Sequence, residues 1–410
     1  MAAESTGASN GARHPKQELS TTLLFGLALL SAAAPFATDM YLPALPLIVE
    51  DLDTTQAMVQ LTLSGFMLGL AVGQLIVGPI SDATGRKKLL VGGAGIALAA
   101  SIVAALSPNI EILIFCRLLQ GLGSGACIVL ARAVIPDLAV GKKAAKAFAL
   151  MMTIQGIAPV AAPVLGGLLV SPIGWRGLFW VLAGVNVAQL LVAVFLVRES
   201  RPPEERTEAS LRGIFGNYLY VLKNPAFRGY TIAFAFGFAA MFCYISASPF
   251  VVQEQMGLSV GAFTAFFAVN SLGLVAANMV NAKLIDHFEP HTILRGAQLL
   301  LAVFTVALLI AVNLTLSPWV IFPLVFLCIS QIAPILGNST ALGTGAVRER
   351  AGSGSAVMGF LQFGLAAVVS PVMGLGPNAA LTMSIGMVVC VSISLGGQVY
   401  AARAARAQRP

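Results

Sequence analysis

The chain has 410 residues, of which 58% are hydrophobic and only 10% charged, whereas a soluble protein carries about 25% charged residues. Such a sequence cannot give itself a wettable surface, so its solvent is lipid and a soluble globular class is excluded. The net charge of +7 is spread over short segments between apolar runs, as expected of loops facing anionic lipid and not of a nucleic-acid surface.

In chain order, residues 1–18 are polar and rich in Gly, Ser and Ala, the composition of a disordered tail. The first apolar run is long and leads into charged and proline-rich sequence, so it reads as a retained membrane helix and not as a cleaved signal peptide. Stretches of the about 20 apolar residues that a bilayer demands recur twelve times. They lie near 20–42, 57–80, 88–107, 110–134, 144–170, 175–197, 227–250, 259–284, 292–313, 318–346, 352–373 and 377–402. The tenth, with Pro323, Pro334, Gly337 and Asn338, has the weakest pattern, although neighbouring helices can satisfy the backbone groups its prolines free.

Of the 24 Lys and Arg residues, 21 fall in segments that alternation puts on one side. Arg176 alone falls on the other side, and Arg117 and Arg132 lie within the fourth span. The positive-inside rule makes that side cytoplasmic, with both termini on it. The predicted class is therefore an all-α integral membrane protein of twelve helices. Residues 19–197 form one six-helix bundle and 227–402 a second, joined by a cytoplasmic linker over 198–226 and followed by a cytoplasmic tail over 403–410. Charge and proline in the segment Arg-Glu-Ser-Arg-Pro-Pro-Glu-Glu-Arg (198–206) mark a solvated linker.

The halves echo each other. Asp82 and Asp286 each close the second span of their half, and Gly92 and Gly296 follow at the same 204-residue offset. Gln155 with Pro163 in the fifth span recurs as Gln362 with Pro371 in the eleventh. A duplicated six-helix unit places a ligand near the bilayer midplane, between halves that rock.

Few residues in the spans bear chemistry. Asp39, in Phe-Ala-Thr-Asp-Met-Tyr-Leu-Pro (36–43), is a carboxylate in the outer part of the first span, where burial is expensive unless it faces a cavity or a partner. Such a residue could exchange a proton for a substrate; an interfacial Asp capping a loop is the alternative. Arg117, about two turns into the fourth span, needs an acceptor, and Asp39 is the nearest carboxylate by topology, so the two are expected to pair. Gly121, Gly123 and Gly125 permit close helix packing.

In the fifth span, Gly156, Pro159, Pro163, Gly166 and Gly167 predict a bent, smooth helix against which the eleventh span packs, suited to a hinge or seal. The loop from Gly78 to Leu89 holds Asp82, Gly85 and Arg86, which with Arg132 and Asp137 form a candidate ion network. Gly78 is read as a point of close helix approach, and Asp82 could face the N-terminus of the eleventh helix near Gly352 and Ser353 and latch the outward-facing state. Pocket candidates are Phe36, Tyr41, Gln120, Met152, Gln155, Tyr244, Asn270, Gln331, Asn338 and Gln362; amides bridging helices and aromatics packing in the core remain alternatives. The five cysteines read as packing residues, and neither they nor the three histidines have metal-ligand spacing. No metal, cofactor or catalytic cluster is expected. A primary pump is excluded because no phosphate-binding loop of the Gly-x-x-x-x-Gly-Lys-Ser/Thr form occurs.

From about residue 20 to 400 the chain resembles the twelve-span drug:proton antiporters of the major facilitator superfamily, in particular the Bcr/CflA subfamily. The resemblance rests on Thr-Asp-Met-Tyr-Leu-Pro-Ala-Leu-Pro (38–46), Gly78 to Leu89, Arg117 to Gly125, the fifth-span proline–glycine pattern and Ser-Ala-Ser-Pro-Phe (246–250). The fifth span departs from the family pattern in having Ala158-Pro159 and Ala162-Pro163 where Gly-Pro is usual. The resemblance implies a bacterial inner-membrane exporter that exchanges protons for small hydrophobic or zwitterionic compounds such as phenicols or bicyclomycin; separately, the chain is expected to be monomeric. In it Asp39 is the protonation site, Arg117 its partner, and Asp82 with Arg86 the conformational latch. An exporter of a metabolite such as an amino acid or sugar has the same fold and mechanism and remains the alternative.

Overall fold

The computed structural model describes residues 19–139, 141–206, 211–314 and 317–407. The expected tail over 1–18 lies outside the described residues, as do 408–410. Among the described residues every regular element is helical. Eleven helices are long and apolar enough to cross a membrane.

One of these, continuous from Gly141 to Leu191 and extended by a π turn over Val192–Leu196, is far too long for a single crossing. It breaks at Gly174, whose φ of 68° is a left-handed value that glycine adopts without strain. Met151, before the break, accepts a bond from Ser31 at 3.4 Å, and Gln189, after it, donates to Leu30 O at 3.0 Å. Both limbs therefore lie beside the same stretch of the first span and run antiparallel, as the fifth and sixth crossings. Twelve crossings result.

The other spans follow the apolar runs closely. The first is Thr21–Asp39, and a short helix over Leu45–Asp51 follows it. The second to fourth are Gln56–Thr84, Arg86–Ala105 and Ile110–Leu138. The seventh, Pro225–Pro249, is followed by Val260–Leu284, Pro290–Leu314, a broken tenth span, Ala351–Val372 and Ala379–Ala407. Ser20, Thr55, Asn109, Asn224 and Ser259 each accept a bond from a backbone N–H of the helix they open, so local capping chemistry sets these starts.

The tenth span consists of Pro318–Ser330 and Ile332–Ala346, which meet at Gln331. Pro334 has no N–H to offer the carbonyl four residues back, Ser330 O, so the ladder is interrupted where the halves of the span meet. The segment between the bundles also holds more than solvated chain. Leu211–Lys223 is an amphipathic helix; Val221 is buried, and Tyr218 Oη donates to Leu75 O of the second span at 3.2 Å.

Packing repeats between the halves. The first span packs on the fifth, the second on the fourth and the third on the sixth, as the seventh does on the eleventh, the eighth on the tenth and the ninth on the twelfth. Between halves, the second span meets the eleventh and the fifth meets the eighth. The fifth span thus packs on the eighth, not on the eleventh as the sequence led us to expect; the pseudo-twofold axis exchanges 2 with 8 and 5 with 11. Gly78 is likewise not the point of closest approach, since a Cβ there would meet Val129 at an ordinary 3.4 Å. Gly69 and Gly121 fill that role, since an added Cβ would fall on Leu118 O and on Phe66 O respectively; Gly73 and Gly125 continue the same seam, at 2.6 Å from Leu122 O and 2.7 Å from Leu70 O.

Candidate functional site: a cavity between the two halves

Inter-half hydrogen bonds gather toward the face opposite Asp82. Gln253 Nε2 donates to Pro43 O at 3.2 Å, Gln60 Nε2 to Ser246 O at 3.1 Å and Ser370 Oγ to Gln60 O at 3.1 Å. Nearer the middle, Ser271 Oγ donates to Pro159 O at 3.2 Å. That carbonyl is free because the residue four positions on is Pro163, which has no N–H. A proline that bends the fifth span therefore creates the acceptor by which the eighth span holds it.

Below these contacts the halves part around a cavity of about 530 Å³, a size suited to a drug-sized ligand. Asp39, Tyr244 and Asn270 line its closed end and are buried, while Arg132 and Ser355 line its other end and are exposed. The cavity thus opens toward the Asp82 face. Part of its wall is aromatic: Phe238 stacks on Phe242 at 6.0 Å and meets Phe363 edge-on at 5.6 Å, and Tyr244 stacks on Phe267 at 5.5 Å.

Asp39 is the last residue of the first-span helix and is 7% exposed. Among the described residues no hydrogen bond or ion pair reaches its carboxylate, and it is the single carboxylate in the cavity wall. Asn270 Nδ2 donates to Tyr244 Oη at 3.1 Å and to Phe266 O at 2.9 Å, while its Oδ1 is buried without a partner. A ligand donor could satisfy that oxygen.

The expected pair between Asp39 and Arg117 is not formed. Arg117 is fully buried, and its guanidinium lies 4.4 Å from the ring centroids of both Tyr41 and Phe66. Nη1 donates to Gln120 Oε1 at 2.5 Å, and Gln120 Nε2 donates to Ser101 Oγ at 2.6 Å. The helix ends at Asp39, and the chain turns so that Tyr41, two residues on, covers the guanidinium while Asp39 faces the cavity. Aromatic faces thus stand where a carboxylate was expected.

Four pocket candidates line the cavity: Gln155, Tyr244, Asn270 and Gln362. The other six do not. Tyr41 and Gln120 are consumed by the Arg117 cluster, and Phe36 packs against the core. Asn338 bridges helices through Asn281 at 2.8 Å. Met152 is 57% exposed on the outside of the fifth span, and Gln331 lines a separate, mostly apolar groove among the eighth, ninth and tenth spans. Gln74, Phe238 and Ser355 line the cavity although sequence reasoning passed over them. A phenylalanine in a membrane helix looks the same in sequence whether it faces lipid, core or cavity.

At the Asp82 face, Arg86 joins Asp82 at 2.7 Å and Asp137 at 3.1 Å, and it also bonds Ser81. This is the network expected from the sequence, with additions from the start of the linker. Glu199 accepts from the N–H of Arg86 at 2.8 Å and of Lys87 at 3.2 Å, capping the third span from a distant segment. Arg201 reaches Asp82 at 2.8 Å, and Ser200 donates to Asp137 at 2.8 Å. Asp82 therefore engages Arg86 and Arg201, and not the helix N-terminus near Gly352. Arg132 is absent from this network; it bonds Gln155 Oε1 at 3.3 Å in the cavity. Arg132 lies more than a turn before Asp137 on one helix, and the intervening rotation turns it toward the space between the halves.

In the fifth span, a Cβ on Gly166 would fall on the carbonyl oxygen of Met40, and one on Gly167 on the side chain of Thr264 in the eighth span. Gly156 has open space around it.

Residues 27–371 match the model of the Major Facilitator Superfamily. A Bacillus subtilis protein named Uncharacterized MFS-type transporter YdgK is 32% identical over 381 residues, covering 92% of this chain and 94% of its own. The Bicyclomycin resistance protein homolog of Haemophilus influenzae is 28% identical, covering 93% and 96%. Multidrug resistance protein MdtL of an Escherichia coli strain is 28% identical, covering 90% and 92%. The fold matches a solved bacterial homologue of the human lysosomal transporter Spinster, inward-facing and occupied, with a TM-score of 0.73 at 16% identity over 94% and 96% of the two chains. A duplicated helical bundle with a cavity at its seam is what a carrier needs. The chain belongs to the Major Facilitator Superfamily of membrane transporters.

Proposed function

We propose that this transporter is a proton-coupled antiporter of the Bcr/CflA type, exporting small hydrophobic or zwitterionic compounds across a bacterial inner membrane by alternating access. The observation that carries the reading is Asp39: one carboxylate in the wall of an otherwise mostly apolar cavity, with no protein partner for its charge. A carboxylate so placed is costly to leave ionised, so it holds either a proton or a substrate that compensates it. Competition between the two for one group couples their fluxes.

The basic residues put the Asp82 face in the cytoplasm, with both termini and the linker over 198–226. The cavity is then inward-facing, sealed on the outer side by the contacts of the second span with the eleventh and the fifth with the eighth. The ion network around Arg86 is a latch whose links to Glu199, Ser200 and Arg201 tie it to the linker. Arg117 stiffens the half that carries Asp39 by holding spans one, two and four together. One chain contains both halves and suffices for the cycle. The relatives named for bicyclomycin and multidrug resistance support the substrate class.

The test is drug-induced proton release in energised inside-out vesicles, with phenicols and bicyclomycin in the panel. Release by the wild type and none by Asp39→Asn, at equal expression, is the expected result. Proton movement with amino acids or sugars alone would turn the reading to a metabolite exporter, and full coupling in Asp39→Asn would overturn the role of Asp39.

A further inference from the structure

The cavity wall holds two charged side chains, Asp39 and Arg132. They lie at opposite ends of it. Tyr41, two residues past Asp39, packs on Arg117, and Arg132 is fifteen residues further along the same helix, about 22 Å at 1.5 Å per residue. The two charges therefore cannot neutralise each other across the cavity. Among the described residues no carboxylate lies within ion-pair distance of Arg132, and its hydrogen bond to Gln155, at 3.3 Å, is long for a charged donor. Arg132 as a residue is exposed and lines the cavity mouth, with donors to spare in a planar fork. Beyond it, Phe238, Phe242 and Phe363 supply an aromatic wall.

We propose that Arg132 is the residue by which the cavity selects its solute, favouring aromatic or amphipathic compounds that carry a carboxylate or a similar planar anionic group. The guanidinium forks onto the anion, Gln155 holds the fork in place, and the apolar body of the solute lies on the phenylalanines. When Asp39 carries a proton, Arg132 leaves the cavity with a net positive charge, so an anionic group is favoured there and a lone cation is not. This inference rests on the reading of the cavity as the substrate site; it does not depend on proton coupling.

The test uses purified protein without a proton gradient, so failure of antiport and failure of selection give different results. Biphenyl-4-carboxylate and biphenyl-4-carboxamide share one aromatic body and differ in charge. Their affinities are measured by ligand-dependent thermal stabilisation, read with a thiol-reactive dye on the five buried cysteines. Wild type is expected to bind the carboxylate at least about tenfold more tightly than the amide, as a charge-assisted pair implies. Arg132→Gln abolishes that preference without changing affinity for the amide, and Arg132→Lys keeps part of it. Asp39→Asn retains the preference. Equal binding of both probes by the wild type, no binding of either at millimolar concentration, or an undiminished preference in Arg132→Gln would overturn the proposal. Because the wild-type comparison needs no variant, it decides the matter even if a substitution impairs folding.

Discussion

The Arg117 guanidinium lies 4.4 Å from the centroid of the Tyr41 ring, and Tyr41 Oη in turn sits 2.7 Å from Thr62 Oγ1. A fully buried cation is thus held by faces and one amide, not by a counter-charge. Tyr41→Phe keeps the face and loses one hydrogen bond, so it is expected to cost about 1 kcal/mol. Tyr41→Ala removes the face and opens a cavity beside an unsolvated charge, with an expected loss of about 3–5 kcal/mol. Thermal unfolding of the two variants in detergent checks the order. Equal losses would mean that the hydroxyl, and not the ring, is what supports Arg117.

The turn between the second and third spans consists of one residue. Gly85 has a φ of 99°, and a Cβ there would come 2.5 Å from Glu199 Oε2. Gly85→Ala therefore combines backbone strain of about 1–3 kcal/mol with displacement of the carboxylate that caps the third span. Glu199→Ala removes the cap alone, at about 0.5–2 kcal/mol. The expected ranking in unfolding temperature is wild type, then Glu199→Ala, then Gly85→Ala. A Gly85→Ala protein as stable as wild type would show that the linker carboxylate does not hold this turn.

Three glycines of the fifth span differ in what surrounds them. Gly156→Ala meets nothing within 4 Å and is expected to gain about 0.5–1 kcal/mol from helix propensity. Gly166→Ala strikes the Met40 backbone within its own half and is expected to destabilise the fold. Gly167→Ala strikes Thr264 across the seam, so it should disturb the seal between halves more than the fold. Accessibility of a single cysteine introduced at Ser355, measured with a maleimide, reads the seal, and unfolding temperature reads the fold. Identical behaviour of the Gly166 and Gly167 variants would contradict this division.

The extent of this fold that the sequence reveals depends on the kind of signal. Span positions follow from the solvent, because lipid admits about 20 apolar residues and little else, and all twelve fall close to their expected limits. The Asp82–Arg86–Asp137 network is legible because charges next to apolar runs are few. The Asp39–Arg117 pair was inferred from scarcity of alternatives, and that logic failed because an aromatic ring is also an acceptor for a guanidinium. Arg132 was assigned to the wrong site because proximity to Asp137 along the chain says nothing of rotation about the helix. Glu199 was hidden in a linker whose charges look uniformly solvated. The amphipathic helix over Leu211–Lys223 was hidden for the same reason, since its apolar face is too short to register as a span.

The reversal at Gly174 belongs to a wider pattern on the face opposite Asp82, where, among the described residues, no stretch between successive α, 3-10 or π helical turns exceeds six residues. The other face holds the long segment between the bundles. Among the described residues that face offers little extended chain, so a protease finds little to draw into its cleft and an antibody meets mainly helix ends. Tags, reporter domains and cleavage sites therefore belong between the bundles, clear of Glu199, Ser200, Arg201 and the helix over Leu211–Lys223, where no span has to lengthen to admit them.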